Sequence, residues 1–184
     1  MNAQPFSHPV RTGSLPGKRA FAFDLVPGAE ERAAVAKALG LLDLPALRFA
    51  GELRPVGRKD LALEARLVAD AVQPCSVTLA PVPAHVEETV ARRYLSDWVE
   101  PEGDEVEMPE DETAEPLPDV IDLGVVAMEA LALALPLYPR AEGVDLGEAV
   151  FGPPGTAPLR DEDLRPFSGL AALKDKLAKP EGEG

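Results

Sequence analysis

The sequence predicts an α+β fold, in which an antiparallel β-sheet built from hairpins packs on one central apolar helix. Apolar and polar residues alternate through residues 45–74, as they do in strands with one buried face. The longest apolar run, within residues 119–140, has its apolar residues at helical spacing instead. With 184 residues, of which 46% are hydrophobic and 27% are charged, we expect a single domain that spans residues 1–184.

The N-terminal part is predicted to consist of an arm, a strand and a helix. Residues 1–17 form the arm, which is extended because prolines and glycines interrupt every periodic pattern there. Phe6 and Val10 are the arm's candidates for docking on the core. Residues 19–25 alternate like a short strand, and residues 29–42 follow helical spacing.

Residues 45–74 are predicted to form a β-hairpin whose turn is the polar stretch 57–60. One face carries only apolar residues and a glycine: Leu47, Phe49, Gly51 and Leu53 on the first strand, and Leu61, Leu63, Ala65, Leu67 and Ala69 on the second. We expect this face to be buried and the other to be in water. Residues 77–80 are predicted as a further short strand and residues 84–95 as another one, although the apolar spacing within 84–95 also fits a helix.

A helix over residues 122–135 is predicted to be the centre of the fold, because it is apolar on nearly every side. The Asp122 side chain can accept hydrogen bonds from the first turn, and Pro136 ends the apolar run. The helix is too short to cross a bilayer and has Glu129 in its middle, so we expect no membrane span. Glu129 is interpreted as a carboxylate that pairs with an arginine or lies at the helix border, with a catalytic role as the alternative.

Acidic residues dominate the overall charge, which is −14 at pH 7. This charge argues against direct binding to the phosphate backbone of a nucleic acid and favours a partner with a basic surface. Residues 99–119 combine many of the acids with prolines, so they are predicted to form a flexible acidic loop. Such a loop is either a tether for a basic protein or a solvated loop without a partner. Residues 179–184 are predicted to form a disordered tail.

Residues capable of catalysis or metal binding are few. Cys75 is the one cysteine, and His8 and His85 have no partner at the spacing of metal ligands, so we predict neither a metal site nor a cofactor. His85 is expected on the solvent face of its strand. Cys75 is interpreted as a small structural residue, with a reactive thiol as the alternative. The N-terminus has no recognisable secretory signal, and the cytoplasm is the expected location.

An amphipathic helical pattern occurs near the C-terminus, over residues 167–177. Its apolar side and its basic end together form a candidate contact site for a partner, which comprises Phe167, Leu170, Leu173, Lys174 and Lys176. A helix this short is marginal alone in water, so the segment must dock on something. Docking against the helix at 122–135 is the alternative to partner contact.

Three stretches, in this order along the chain, resemble those of one protein family. They are QPCSVTLAPVPAHVEE at 73–88, VVAMEALALALPLYPR at 125–140 and RPFSGLAALKDKL at 165–177. Together with the hairpin before them, they are similar to the YceD family, bacterial proteins required for the accumulation of large-subunit ribosomal RNA. The resemblance implies a non-catalytic ribosome-biogenesis factor that is needed for accumulation of 23S ribosomal RNA and acts through protein contacts.

The resemblance also implies a partner, because family members are often encoded beside a small basic protein of the large subunit. That partner would be a basic ribosomal or assembly protein, with ribosomal RNA associated indirectly. Many members carry C-x-x-C in the middle stretch, but Val72 stands where the first cysteine would be, so zinc is not expected here. Arg165 also replaces the asparagine that is usual in the C-terminal motif. Two other functions stay open, namely an acidic chaperone for a basic ribosomal protein and a small enzyme that uses Glu129 or Cys75.

Overall fold

The computed structural model describes residues 4–15, 17, 19–98 and 113–144, which belong to one compact unit, Met1–Val144. Several predictions concern residues outside this described part of the chain. They are those for residues 99–112 of the acidic loop, for the tail at 179–184, and for the five candidate contact residues Phe167, Leu170, Leu173, Lys174 and Lys176.

Seven strands and two helices make up the described part of the chain. The strands are β1 (Pro9–Arg11), β2 (Phe21–Leu25), β3 (Asp43–Val56), β4 (Asp60–Pro74), β5 (Pro81–Leu95), β6 (Ala114–Pro116) and β7 (Val120–Asp122). The helices are α1 (Ala29–Ala38) and α2 (Leu123–Ala134), and a short 3-10 helix covers Thr12–Ser14. Strands β2 to β6 form one sheet in that spatial order, and only β6 pairs in parallel. The predicted α+β class with a mostly antiparallel sheet is confirmed.

The β3–β4 hairpin is the centre of the sheet, and its register brings the predicted apolar residues onto one face. Leu53 lies opposite Leu63 and Phe49 lies opposite Leu67, and all four side chains are buried. α2 packs on β4 and β5, and α1 packs on β3. Both helices contribute residues to the same hydrophobic core, which is therefore built on this inner face of the sheet.

The outer face of the sheet is open and carries ion pairs between neighbouring strands. The pairs are Asp24–Arg48, Arg54–Glu64, Arg66–Glu87 and Asp70–His85. These side chains are about half exposed or more, so water screens the pairs and each contributes little to stability. His85 lies on the solvent face of its strand, as predicted.

Asp122 joins the N-terminal arm to the start of α2. Its carboxylate accepts hydrogen bonds from the backbone nitrogens of Gly124 (3.0 Å) and Val125 (3.3 Å), so it is the N-cap that the sequence predicts. It also accepts hydrogen bonds from Ser7 Oγ (2.6 Å) and from the backbone nitrogen of His8 (2.7 Å). One carboxylate therefore caps the helix and holds the arm.

The N-terminal arm docks on the core through strand pairing and two apolar side chains. β1 pairs antiparallel with β7, and Phe6 and Val10 are buried, as expected. A Cβ on Gly124 would lie 2.7 Å from the carbonyl oxygen of Phe6. Glycine is therefore required at this position for the arm to approach the first turn of α2.

Residues 77–80 were expected to be a strand, and this prediction is wrong. They lie in a turn in which the backbone nitrogen of Leu79 donates to the carbonyl oxygen of Cys75 (2.9 Å), and Leu79 has a φ of 61°. The turn connects β4 to β5, whose first residue is Pro81. The strand predicted over residues 84–95 is confirmed and is longer than expected.

The predicted acidic loop, residues 99–119, differs from the structure near its end, because residues 114–116 form β6. The backbone nitrogen of Arg93 donates to the carbonyl oxygen of Thr113 (2.8 Å), and that of Leu117 donates to Leu95 (2.9 Å). These bonds attach the returning chain to the end of β5. The acidic composition gave no sign of this pairing.

Candidate functional site: a groove beside strand β5

A groove of about 390 Å³ runs between β5 and the side of α2 that carries Leu133. Five consecutive residues of β5, from Glu88 to Arg92, line one wall, and Ala130, Leu133 and Ala134 of α2 line the other. Consecutive residues of a strand alternate between its two faces, so a wall formed by all five is the backbone edge of β5. The groove therefore combines a strand edge with an apolar helix surface.

The side of α2 along the groove is exposed, although its sequence is apolar on nearly every side. Leu133 is 84% exposed, whereas Leu131 is fully buried. The reason is that α2 covers β4 and β5, and none of the described elements packs on α2 from beyond the β5 edge between His85 and Ala91. α2 is therefore buried on most of its sides and exposed along the groove.

The hydrogen-bond pattern identifies the residues of β5 whose backbone groups face the groove. The backbone nitrogen of Arg93 donates to Thr113, on the side away from β4. Two odd-numbered residues of β5, Pro81 and Pro83, lie opposite residues of β4 but have no N–H that could bond to them. Because hydrogen-bonded pairs alternate along an antiparallel ladder, the even-numbered residues of β5 bond to β4. The odd-numbered residues, namely His85, Glu87, Thr89 and Ala91, direct their N–H and C=O groups outward.

Within the described residues, no strand pairs with this outer edge between His85 and Ala91. β6 begins to pair with β5 at Arg93, and Pro81 and Pro83 interrupt the edge at its other end. The open interval is seven residues long, or about 23 Å at the rise of an extended strand. An unpaired edge of this length is a template for a further strand.

Arg92 closes the groove at the end next to β6. Its Nη1 lies 3.1 Å from Glu115 Oε1, and its Nη2 lies 2.8 Å from Glu129 Oε2 on α2. The Arg92 side chain is only 18% exposed, whereas both carboxylates are close to half exposed. Glu129 is thus paired with an arginine, as the sequence indicated. Beside them, burial raises the pKa of Tyr94 to about 12, so its hydroxyl stays protonated.

Replacement of Arg92 by glutamine is expected to destabilise the protein by about 1–2 kcal/mol, because a mostly buried cation that bridges two elements is lost. The matched control is Arg66→Gln on β4, whose pair with Glu87 is exposed. We expect the control to change stability by about 0.5 kcal/mol or less. Urea unfolding of both variants measures the difference, and equal losses contradict a special role for Arg92.

Beyond the other end of α2, the chain hydrogen-bonds to the turn between β4 and β5. Gln73 Nε2 donates to the carbonyl oxygen of Pro136 (3.1 Å). The backbone nitrogen of Ser76 donates to the carbonyl oxygen of Pro139 (2.8 Å). Three apolar side chains on these two segments are 74–85% exposed, namely Leu79, Leu137 and Tyr138. Because Gln73 lies opposite Val82, these segments adjoin the Pro81 end of β5.

Cys75 is enclosed within this turn. Its side chain is excluded from solvent. Its sulfur accepts hydrogen bonds from the Thr78 side chain and from the backbone nitrogens of Ala141 (3.4 Å), Thr78 and Val77, which lower the pKa of Cys75 to about 6. The low pKa favours the thiolate, but a substrate cannot reach it unless the turn opens. The arrangement fits a structural cysteine that fixes the chain after α2.

The two candidate catalytic residues, Glu129 and Cys75, are not brought together. Glu129 pairs with Arg92 beside the groove, and Cys75 lies in the turn between β4 and β5. His85 contacts Asp70 on the outer face. Among the residues that the structure describes, no group of three His, Cys, Asp or Glu side chains is placed to hold a metal ion.

One protein-family model matches the chain over residues 63–174, more than half of its length. Its description is "Large ribosomal RNA subunit accumulation protein YceD". The chain belongs to the YceD family. The resemblance noted from the sequence is thereby confirmed, and the family description gives a role in the accumulation of large-subunit ribosomal RNA. No curated protein and no solved structure matches the chain.

The part of the chain that matches the YceD family includes both walls of the groove. The match begins at Leu63 on β4 and continues through β5, β6, β7 and α2, whereas β2, α1 and β3 precede it. It also includes Cys75 and the residues after α2 that contact its turn. None of the helices in the described ranges has the length and hydropathy needed to span a membrane.

Glu88 and the open edge of β5 are features that the sequence reasoning missed. Glu88 shares the inner face of β5 with Val86 and Val90, both buried, and lies opposite Leu67 in the ladder. Its carboxylate is nevertheless exposed, because the groove leaves this part of the inner face open. A charge between two buried valines of a strand is a sign of an edge, and it could have indicated the groove.

Proposed function

We propose that this chain promotes the accumulation of large-subunit ribosomal RNA without catalysing a reaction, by binding a basic ribosomal or assembly protein. Ribosomal RNA then associates with it through that protein. The observation that carries the proposal is the groove beside β5, which lies in the matched part of the chain. A strand edge next to an apolar helix surface is a recurring form of polypeptide-binding site.

The charge distribution supports a basic protein partner rather than direct RNA contact. Residues 99–112 contain eight acidic and no basic residues, which amounts to more than half of the net charge of −14. Four arginines of the sheet already pair with carboxylates: Arg48, Arg54, Arg66 and Arg92. Binding to a phosphate backbone needs clustered cations, and each of these four is engaged by a carboxylate.

The same acidic residues favour a second candidate, an acidic chaperone that shields a basic ribosomal protein before assembly. A complex held mainly by the charge of residues 99–112 weakens steeply as salt rises, because exposed charges are screened. A complex held by the groove depends less on salt. Measuring the affinity for the purified partner between about 0.05 and 0.5 M salt therefore separates the two candidates.

An enzyme that uses Glu129 or Cys75 has less support from the geometry. Glu129 is engaged by Arg92, and Cys75 is excluded from solvent. Glu129 shares Arg92 with a second carboxylate, Glu115, but the arginine engages both acids. In the contacts of the described residues, neither Glu129 nor Cys75 meets a His that would complete an acid–base pair.

We also propose a second contact in the C-terminal segment. The family match reaches residue 174 and so includes four of the candidate residues, namely Phe167, Leu170, Leu173 and Lys174, while Lys176 lies just beyond it. Truncation after Pro166 is expected to give a folded chain that no longer supports accumulation of large-subunit RNA. A truncated chain that unfolds or aggregates would instead assign the segment to the core.

Deletion of the gene tests the proposed role in cells. We expect the deletion strain to contain less mature large-subunit RNA and fewer large subunits, and the wild-type chain to restore both. A tagged chain purified from growing cells should retain a basic ribosomal or assembly protein after nuclease treatment. Normal large-subunit RNA in the deletion strain contradicts the role, and loss of the protein on nuclease treatment contradicts binding through protein contacts.

A further inference from the structure

We infer that the open edge of β5 binds an extended basic segment of a partner protein by β-strand addition, with α2 forming the side of the binding site. The inference rests on the proposed function, because it identifies where the protein partner is held and what the bound segment looks like. It adds a binding mode, a defined set of backbone donors and acceptors, and a chemical description of the bound segment.

The backbone of β5 supplies the first part of the argument. His85, Glu87, Thr89 and Ala91 present outward N–H and C=O groups that no described strand uses. A strand that pairs with them can form hydrogen bonds along the whole interval of seven residues. Pro81 and Pro83 limit this interval at one end and β6 limits it at the other, so the register of an added strand is restricted.

The side chains along the groove describe the residues of the added strand. Alternate side chains of that strand point to opposite faces of the sheet. Those on the inner side meet Ala130 and Leu133 of α2 together with the exposed carboxylate of Glu88. Those on the outer side lie next to Glu87, which pairs with Arg66 and remains about half exposed. A segment that alternates apolar and basic residues therefore satisfies both sides.

Charge also distinguishes a basic partner from a second copy of this chain. If two copies paired through their β5 edges, the exposed Glu88 of each copy would lie along the same short interval. Like charges on neighbouring strands are destabilising, and the overall charge of −14 adds to the repulsion. A basic segment reverses both effects, so it is the occupant that the edge favours.

The first test removes one outward donor from the edge. In Thr89→Pro, the N–H that faces the groove is lost and a proline ring occupies its place, whereas every hydrogen bond to β4 is kept. The matched control, Thr89→Val, keeps the N–H and suits a strand. Circular dichroism and urea unfolding check that both variants fold.

The binding probe is a fluorescein-labelled peptide with four Lys-Val repeats and blocked ends, measured by fluorescence anisotropy with the full chain at physiological salt. We expect the wild type and Thr89→Val to bind it equally and Thr89→Pro to bind it about tenfold or more weakly. Equal binding by Thr89→Pro, or no binding by the wild type at about 1 mM peptide, overturns the inference.

A second measurement uses only the wild-type chain and so does not depend on the folding of a variant. Two further peptides carry N-methyl groups on all valines or on all lysines, which blocks one of the two backbone edges of the bound strand. We expect one methylated peptide to lose binding about tenfold or more and the other to keep it, because an added strand uses one edge only. Equal binding of both methylated peptides would show a purely electrostatic contact and overturn strand addition.

The outcomes separate this inference from the proposed function. If large-subunit RNA is normal in the deletion strain but the peptide binds as expected, the proposed function fails and the site stands. If the wild type restores large-subunit RNA while Thr89→Pro binds the peptide normally, the function stands and the site fails. A wild-type dimer that Thr89→Pro converts to a monomer, without peptide binding, assigns the edge to a second copy and overturns the inference.

Discussion

Substitution of Gly51 by valine is expected to destabilise the protein by about 3 kcal/mol or more. Gly51 lies in the middle of β3, opposite Ala65 on β4 and Phe23 on β2. A Cβ on Gly51 would lie 2.2 Å from the carbonyl oxygen of Glu64 and 2.6 Å from Cβ of Ala65. These atoms belong to or adjoin the backbone of the central strand, so they cannot move aside as a flexible side chain does. The measurement is the free energy of unfolding in urea.

The control for this prediction is Ala50→Val, one residue earlier on the same strand. Ala50 lies on the outer face, opposite Arg66, where a larger side chain has access to water. Valine is favoured in strands, so we expect a change of about 0.5 kcal/mol or less. If Gly51→Val is as stable as this control, the strands β3 and β4 do not approach as closely at Gly51 as the structure has them.

The hairpin and the central helix could be predicted because their signals are local. In β3 and β4, apolar residues recur at every second position, and a short turn at 57–60 joins the two strands, so pattern and pairing agree. α2 begins at an N-cap, Asp122, and ends before Pro136, and both signals lie within the helix's own sequence. The fold class followed from these two elements.

The three-residue strands β1, β6 and β7 could not be predicted, because their pairing partners are distant in sequence. β1 pairs with β7, and the hydrogen bond from Ser7 to Asp122 spans 115 residues. β6 has three residues, too few for an alternating pattern, and its acidic surroundings indicated a loop. Such elements form because neighbouring strands offer hydrogen-bond partners, and a local pattern does not record those partners.

The groove was hidden by an ambiguity within β5. Val86, Val90 and Tyr94 recur every four residues, a spacing that also fits a helix, because Glu88 and Arg92 take the intervening positions on the same face. Arg92 is tolerated there since Glu129, 37 residues later, pairs with it. Glu88 is tolerated since the groove exposes it. The position of α2 explains both charges, and the local sequence of β5 carries no information about that position.

Replacement of Asp122 by alanine is expected to destabilise the protein by about 2–3 kcal/mol, because one carboxylate makes two sets of contacts. It caps α2 through Gly124 and Val125, and it holds the arm through Ser7 and His8. The urea unfolding free energy measures the loss. Loosening of the arm should also speed tryptic cleavage after Arg11, which lies at the end of β1.

Asp119→Ala provides the matched control for this substitution. Asp119 is exposed, and its backbone carbonyl, rather than its carboxylate, accepts the hydrogen bonds from Thr12. We expect a change of about 0.5 kcal/mol or less and no faster cleavage after Arg11. If both aspartate variants lose the same stability, the contacts of Asp122 are not what holds the arm and the helix together.

The contribution of Asp122 should also depend on pH in a defined direction. Burial acts to raise the pKa of Asp122, but the hydrogen bonds from Ser7, His8, Val125 and Gly124 outweigh it and leave the pKa lowered. A carboxyl group with a lowered pKa in the folded state stabilises the fold above its unfolded pKa of about 4. That contribution disappears as the pH falls through the folded pKa. The stability difference between the wild type and Asp122→Asn, measured by urea unfolding, should therefore be constant near neutral pH and shrink below about pH 4. If the difference stays the same down to about pH 2, the hydrogen bonds from Ser7, His8, Val125 and Gly124 do not stabilise the ionised form of Asp122.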